Sequence, residues 1–366
     1  MATISFARGI PGPDLLPIDD FGECARTATR NDGARALNYG PPAGYQPLRA
    51  WVAEQHDVDP ARVVVTNGSL QGFRFLAQRL VEEDARIFVE APCYDRSLGI
   101  LRALGARAEA VPQDDDGLDV DELARRLRAE TGFAVVYTIP TFQNPSGRTL
   151  SRDKRERLLE LARDTRALVV EDDPYRLLRF EGEPLPTMFE LAGGEGVVFQ
   201  TSFSKTVAPG IRVGYLVLPE DRVEALEALV LENYVSPAIF VQAALYEYVA
   251  SGLYEPNLDR VSAALRERCA TMREALEREL PAGTTWSDPE GGYFLWLDLP
   301  PGVDSGELLE RATQAGVTFV KGTDFHLDGS GGSSARLAFS YATPDEIDEG
   351  ITRLGALVRD ASAVAA

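Results

Sequence analysis

The sequence holds few of the side chains from which metal centres and disulfide frameworks are made. Among 366 residues there are three cysteines and two histidines. Cys24, Cys93 and Cys269 are widely spaced and form no CxxC pair, and only His56 and His326 stand beside them. No Cys/His metal site is therefore expected, and the cysteines read as reduced and buried. Basic charge is also short. Lys plus Arg is 37 against 57 for Asp plus Glu, a formal net charge of −20. Such a surface repels nucleic acid and anionic membranes, so neither is an expected partner. Any anion site has to be built locally, from a few convergent Arg, Lys and backbone N–H groups. The opening MATISFARGIPGPDLLP has no basic region followed by a long apolar core, and no run approaches a membrane span. A cytoplasmic location is the expectation. There is no internal repeat, and only the Ala-rich tail from Ala361 reads as frayed.

The length allows two packed domains sharing one cleft. After the Pro/Gly-rich opening, Pro17 to Thr29 suits a helix, Asn38–Gly44 a loop, and Pro47 to Gln55 a short helix starting on proline. Short apolar runs then alternate with helical patterns. The runs are Val63–Thr66, Arg86–Glu90, Ala108–Val111, Ala134–Ile139, Leu168–Glu171, Val197–Thr201 and Val213–Leu218. They are rich in Val and Ile and bounded by Gly, Pro or Asp, as buried strands are. Helical patterns include Leu70–Glu82, Val120–Glu130 and Ser151–Thr165. This alternation predicts a mostly parallel sheet covered on both faces. The Val197 and Val213 runs are joined without a full helix, so one of them is a candidate antiparallel strand. A long amphipathic stretch follows at Leu258–Leu280. A second α/β unit then has strands at Tyr293–Leu297, Val317–Val320 and Ala335–Ser340, with helices near Ser305–Gln314 and from Pro344. Gly329–Ser334 reads as a flexible loop.

Four segments carry chemistry. Thr201–Gly214 (TSFSKTVAPGIRVG) sets Lys205 just after an apolar strand, among Ser202, Ser204 and Arg212. Two hydroxyls and a guanidinium near one amine suit a phosphate monoester held beside that amine. Thr66–Gly72 (TNGSLQG) follows a strand and opens a helix, where free N–H groups cradle anions. Leu168–Tyr175 (LVVEDDPY) puts acids at a strand's C-terminal end, where open α/β sheets carry their ligand groups. Thr141–Gly147 (TFQNPSG) also follows a strand end.

In order and spacing these blocks resemble the fold-type-I aminotransferases of class I/II, closest to the 2-aminoadipate and kynurenine aminotransferase subgroup. The resemblance runs from Ile4 to Tyr341. It implies an α/β pyridoxal-phosphate-dependent transferase fold of type I. That fold has a large domain, residues 39–260, with a mostly parallel seven-stranded sheet sandwiched by helices. Residues 1–38 and 261–366 form a small α/β domain with the N-terminal segment. The implied activity moves an amino group between an L-amino acid and a 2-oxo acid. Lys205 would carry pyridoxal 5′-phosphate as a Schiff base and shuttle the substrate proton. Asp172 would pair with the pyridine nitrogen, Asn144 and Tyr175 would bond the ring 3-oxygen, and Tyr94 would stack on the ring. The phosphate would lie on the N–H groups of Gly68, Ser69 and Leu70, with Ser202, Ser204 and Arg212. Tyr39 resembles the tyrosine that reaches the phosphate of a neighbouring subunit, implying a homodimer with shared sites. Arg336 would clamp the substrate α-carboxylate, with Asn144 and Gly9 beside it.

Two positions depart from the family pattern. Arg8 replaces the first glycine of Phe-Ala-Gly-Gly-Ile-Pro, and Val320-Lys321-Gly322 stands where the family has Val-x-Pro-Gly. Both place a cation near the expected substrate pocket. They keep open another reaction of the same scaffold, namely elimination, replacement or cyclisation of a functionalised amino acid, guanidino or hydroxylated among them. A non-catalytic sensor domain of a transcription regulator is disfavoured. The first family motif begins at Ile4, leaving no room for a DNA-binding domain, and the charge is acidic.

Overall fold

The computed structural model describes residues 3–365, so Met1 and Ala2 of the opening segment and Ala366 of the tail lie outside it. The fourteen strands among the described residues fall into three sheets. The large sheet contains β2 (Val63–Thr66), β3 (Arg86–Ala91), β4 (Arg107–Asp114), β5 (Gly117–Leu118), β6 (Ala134–Thr138), β7 (Leu168–Asp172), β8 (Val197–Ser202) and β9 (Gly214–Val217). Its order is β2-β9-β8-β7-β6-β3-β4-β5. Pairings β8–β7–β6–β3–β4 are parallel, whereas β9 runs antiparallel to both β8 and β2. The antiparallel member is thus the Val213 run. Seven strands match the expected runs; the eighth, β5, is a two-residue hairpin partner of β4 that its sequence does not announce.

A second sheet orders β10 (Thr285–Trp286), β11 (Phe294–Asp298), β14 (Ser334–Ala338) and β13 (Val320–Lys321). The expected single strand at Val317–Val320 is broken at buried Phe319. Its first half, β12 (Val317–Thr318), leaves this sheet to pair in parallel with β1 (Ile4–Ser5). That pairing anchors the N-terminal segment beside the C-terminal third of the chain.

Helices α1 (Ile18–Ala36), α2 (Gln46–His56), α3 (Ser69–Glu82), α4 (Asp95–Ala103), α5 (Val120–Ala129), α6 (Arg152–Thr165) and α7 (Met188–Leu191) precede β8. Then come α8 (Glu220–Tyr234), α9 (Ile239–Ala250), α10 (Tyr254–Glu279), α11 (Ser305–Gln314) and α12 (Pro344–Ala365). The tail expected to fray at Ala361 stays helical to Ala365, with Ala361 packed against the core. None of these helices is long and apolar enough to cross a membrane.

Alternation along the strands creates two cores, because successive side chains point to opposite faces. Val64, Val135, Val170, Val198 and Leu216 join one cluster with Phe73 and Leu76 of α3, Met272 of α10, and Leu295 and Leu337 of the second sheet. Val63, Val65, Val136, Val169 and Val197 join the other, with Leu48 and Val52 of α2, Leu123 of α5 and Leu158 of α6. The C-terminal ends of β3, β6, β7, β8 and β2 all open toward one edge. Every segment singled out for chemistry leaves the sheet there.

Candidate active site

Lys205 follows β8 in a short turn and is half-buried. Its backbone carbonyl accepts from Tyr293 Oη at 2.8 Å, and its Nζ donates to Gly9 O at 2.5 Å. Burial pulls the amine down to about 8, the Arg336 and Arg212 guanidiniums add to this, and Asp172 opposes it. Lys205 Nζ also lies 5.6 Å from the Tyr293 ring centre and 6.0 Å from that of Tyr175.

Asp172 ends β7 on the face of Val170. It is buried; Oδ2 accepts from Tyr137 Oη at 2.7 Å while Oδ1 has no partner. Burial raises its pKa to about 6, with Tyr137 pulling the other way. Its neighbours point to the opposite face. Glu171 accepts from Met188 N and Phe189 N at 2.9 and 2.8 Å, and Asp173 from Arg176 N at 3.2 Å. Among the three acids, only Asp172 is aimed at the Lys205 side.

An anion cradle lies where β2 ends. Gly68 is the N-cap of α3 with φ +89°, and a Cβ there would come within 2.2 Å of Arg212 Nη2. Glycine is required by the backbone and by the clearance alike. Arg212 donates to Ser204 Oγ at 3.3 Å and to Asn67 O at 3.2 Å, and Ser202 Oγ meets Ser204 Oγ at 2.8 Å. The N–H groups of Ser69 and Leu70 lie in the first turn of α3, where helix geometry supplies no acceptor. Gly68 differs from the expectation: its N–H already donates to Thr66 O at 2.8 Å, so its contribution is room rather than a hydrogen bond.

Arg336 on β14 is buried, 4.4 Å from the Phe294 ring centre and 5.1 Å from that of Phe325. Nη1 donates to Asn144 Oδ1 at 3.0 Å and Nη2 to Ala7 O at 2.7 Å, while Nε has no acceptor. Because its oxygen faces Arg336, Asn144 turns its amide nitrogen the other way. Tyr94 is half-buried at the N-cap of α4, and burial lifts its phenol to about 12. Tyr175 is buried against Tyr293 and Phe294, with its phenol raised by the same cause.

Three predicted residues stand apart. Tyr39 is 80% exposed and shares no side-chain hydrogen bond with the others among the described residues. Arg8 is exposed, donates to Tyr341 Oη at 2.9 Å and lies 4.9 Å from that ring's centre, with no carboxylate partner among the described residues. Lys321, by contrast, pairs with Asp324 at 3.7 Å on the surface. Sequence reasoning missed Tyr293 and Tyr137, which look like ordinary strand aromatics, and also Glu90. Buried Glu90 accepts from Thr138 Oγ1 (2.9 Å), Ile139 N (3.1 Å) and Gln143 Nε2 (3.1 Å). It thereby ties the loop carrying Asn144 to the strand leading to Tyr94.

The family model for aminotransferase class I and II matches residues 17–354. The chain belongs to that family. It is 36% identical over 355 residues to a 2-aminoadipate transaminase of Thermus thermophilus, covering 96% of this chain and 89% of the relative. Among solved structures, the α-aminoadipate aminotransferase of Thermus thermophilus complexed with N-(5′-phosphopyridoxyl)-L-leucine superposes with a TM-score of 0.94. The two share 36% identity over 99% of this chain and 93% of the other. The Pyrococcus horikoshii kynurenine aminotransferase in complex with PMP gives a TM-score of 0.93 at 33% identity, covering 98% and 91%. This chain is an aminotransferase, and its cofactor is pyridoxal 5′-phosphate. The residues present fit that group: an unpartnered buried carboxylate oxygen on Asp172, a glycine-cleared cradle at Arg212, and a depressed amine at Lys205.

Proposed function

We propose that the transfer runs between an L-amino acid and a 2-oxo acid, with Lys205 as the residue that binds the cofactor and moves the substrate proton. Bound pyridoxal phosphate supplies an electron sink for the substrate Cα. The observation that carries the reading is the place of Lys205 just after β8, its Nζ on Gly9 O and its charge felt by Arg336, Arg212 and Asp172. Lowered to about 8 by burial, the amine gives up its proton more readily than an ordinary lysine and still holds it firmly enough to return it. Arg212, Ser202, Ser204 and the N–H groups of Ser69 and Leu70 would hold the phosphate. Asp172 would pair with the ring nitrogen, Asn144 and Tyr175 with the 3-oxygen, and Tyr94 would stack on the ring. Arg336 receives the α-carboxylate on its free Nε, with the Ala7 carbonyl giving way on Nη2.

The related proteins are named for 2-aminoadipate and kynurenine. For this chain we propose amino acids with an anionic side chain, read by Arg8, which has a free charge one residue from Gly9. Lys321 has its own carboxylate in Asp324 and contributes little. The assembly we propose is a homodimer. Tyr39 would reach the partner's phosphate, and the exposed Leu37, Leu231 and Val235 would be covered by the second copy. The large and small domains would divide at 39–260, within α10. Free buried cysteines support a reducing, cytoplasmic location.

Mixing the holoenzyme with one amino acid and no acceptor tests the reaction. Transamination gives a stoichiometric amount of the matching 2-oxo acid and then stops. Continuous release of ammonia would instead establish elimination.

A further inference from the structure

Behind Asp172 lies a second pair of hydroxyls that neither the family pattern nor the site as described assigns. Tyr137 on β6 is fully buried, and its Oη donates to Asp172 Oδ2 at 2.7 Å. With that single phenol proton committed to the carboxylate, the 2.9 Å contact with Ser97 Oγ has Ser97 as donor. Ser97 is itself buried in the first turn of α4. The three groups form a directed chain, Ser97 to Tyr137 to Asp172, ending at Oδ2 and leaving Oδ1 without a hydrogen bond. The geometry is fixed by packing. The β6–β7 register sets Tyr137 opposite Val170, one step before Asp172 on the same face, and Phe73 packs on the Tyr137 ring at 4.6 Å.

We propose that Tyr137, backed by Ser97, is a positioning residue that decides where the proton sits between Asp172 and the ring nitrogen of the cofactor. This rests on the reading that Asp172 Oδ1 meets that nitrogen. A hydrogen bond into Oδ2 does two things. It fixes the carboxylate rotamer, so that Oδ1 and no other atom points into the cleft. It also draws negative charge away from Oδ1, making the carboxylate a weaker base, and the Ser97 bond strengthens the phenol as a donor. The shared proton then stays on the nitrogen, the state in which the ring withdraws electrons best. The other groups acting on Asp172 are Gln200 and Lys205, which also weaken it as a base, and Asp173, which strengthens it. Among the described residues the hydrogen bond to Oδ2 comes from Tyr137.

The test is 15N NMR of the holoenzyme reconstituted with cofactor labelled at the ring nitrogen. The wild type should show a protonated nitrogen. Tyr137→Phe should move the resonance toward the unprotonated value, corresponding to a tilt of the proton equilibrium toward the carboxylate of about tenfold or more. Ser97→Ala should move it less, in the same direction. If Asp172→Asn shifts the resonance while Tyr137→Phe and Ser97→Ala both leave it in place, the proposal fails and the underlying reading stands. If Asp172→Asn also changes nothing, the underlying reading fails and takes the proposal with it. A purely structural role would lower the melting temperature without moving the nitrogen signal, and this too overturns the proposal. Should Tyr137→Phe not fold, Ser97→Ala, which removes one oxygen and leaves the donor phenol in place, decides alone.

Discussion

Arg336 and Asn144 meet at 3.0 Å through Nη1 and Oδ1, and this contact, with the Nη2 bond to Ala7 O, orients Arg336 while leaving its Nε buried without an acceptor. A buried guanidinium edge without an acceptor is costly, and a substrate carboxylate removes that cost. Arg336→Gln should therefore raise KM for the amino acid about ten- to hundredfold, since a hydrogen bond to a charged group contributes roughly 1.5–3 kcal/mol. Cofactor retention should stay near wild type. Steady-state kinetics beside a cofactor-binding titration separates the two; an unchanged KM would remove Arg336 from substrate binding.

The Lys205 amine, pulled down to about 8, predicts how the apoprotein takes up its cofactor. Only the neutral amine attacks an aldehyde. The rate of covalent attachment should climb with pH below about 8 and flatten above it, whereas an ordinary lysine would keep climbing past pH 10. Borohydride reduction followed by peptide mass spectrometry should place the label on Lys205. A label on another lysine would show that the wrong strand end has been chosen.

Gly68→Ala should weaken cofactor retention at least about tenfold. The added methyl needs a backbone at φ +89° and room that Arg212 Nη2 already fills. Strain of this kind costs on the order of 1–3 kcal/mol. Equilibrium dialysis reads the loss, and a normal thermal melt of the apoprotein with intact cofactor affinity would contradict it.

Arg8 and Lys321 should behave differently although both depart from the family pattern. Arg8→Gly is expected to slow the half-reaction of acidic amino acids about ten- to hundredfold relative to apolar ones. Lys321→Pro should leave the ranking alone, because Asp324 already neutralises that side chain. Stopped-flow comparison of an acidic, a polar and an apolar amino acid in the three proteins decides. Identical rankings throughout would mean that neither cation reads the substrate.

Glu90 carries a pH signature. Burial raises its pKa from 4.5 to about 7, so the folded state binds the proton more tightly than the unfolded chain does. Its contribution to stability is thus fully present below about 4.5 and is lost as pH rises through about 7. Relative to Glu90→Gln, the wild type should lose stability between pH 5 and pH 8. Urea denaturation of both proteins at those two values gives the difference; a wild type that gains on the variant over that window would reverse the sign.

Much of the sheet was legible because buried strands announce themselves by composition, and the motifs follow the strand ends. What stayed hidden depends on contacts distant in sequence. Within α1 the stop suggested by Asn31, Asp32 and Gly33 is a kink at Asp32 (φ −142°, ψ 34°), beyond which a second helical stretch reaches Ala36. At the kink Asp32 accepts from Tyr45 Oη at 2.9 Å, while Asn31 donates to Glu247 on α9 at 3.0 Å. The local signal is obeyed as a kink, and what the sequence does not announce is the helical stretch that resumes beyond it. Tyr137 was invisible for a related reason, since only the register between β6 and β7 brings its hydroxyl to Asp172. The choice of Asp172 over Asp173 could be made on family spacing and strand alternation, and the two acids do point to opposite faces.

That alternation has an evolutionary side. Along β7, odd-numbered residues face one core and even-numbered ones the other, and at its end Asp172 shares the face of Val170 while Glu171 and Asp173 share that of Val169. Removing or adding one residue anywhere in Leu168–Asp172 would swap the two sets. Asp172 would turn to the face where Glu171 now accepts from Met188 N and Phe189 N, and Val169 and Val170 would trade cores. Descendants of this gene can change the composition of the strand gradually, one apolar residue for another. Its length is closed to them, because no intermediate with a half-shifted strand would keep both the core and the chemistry.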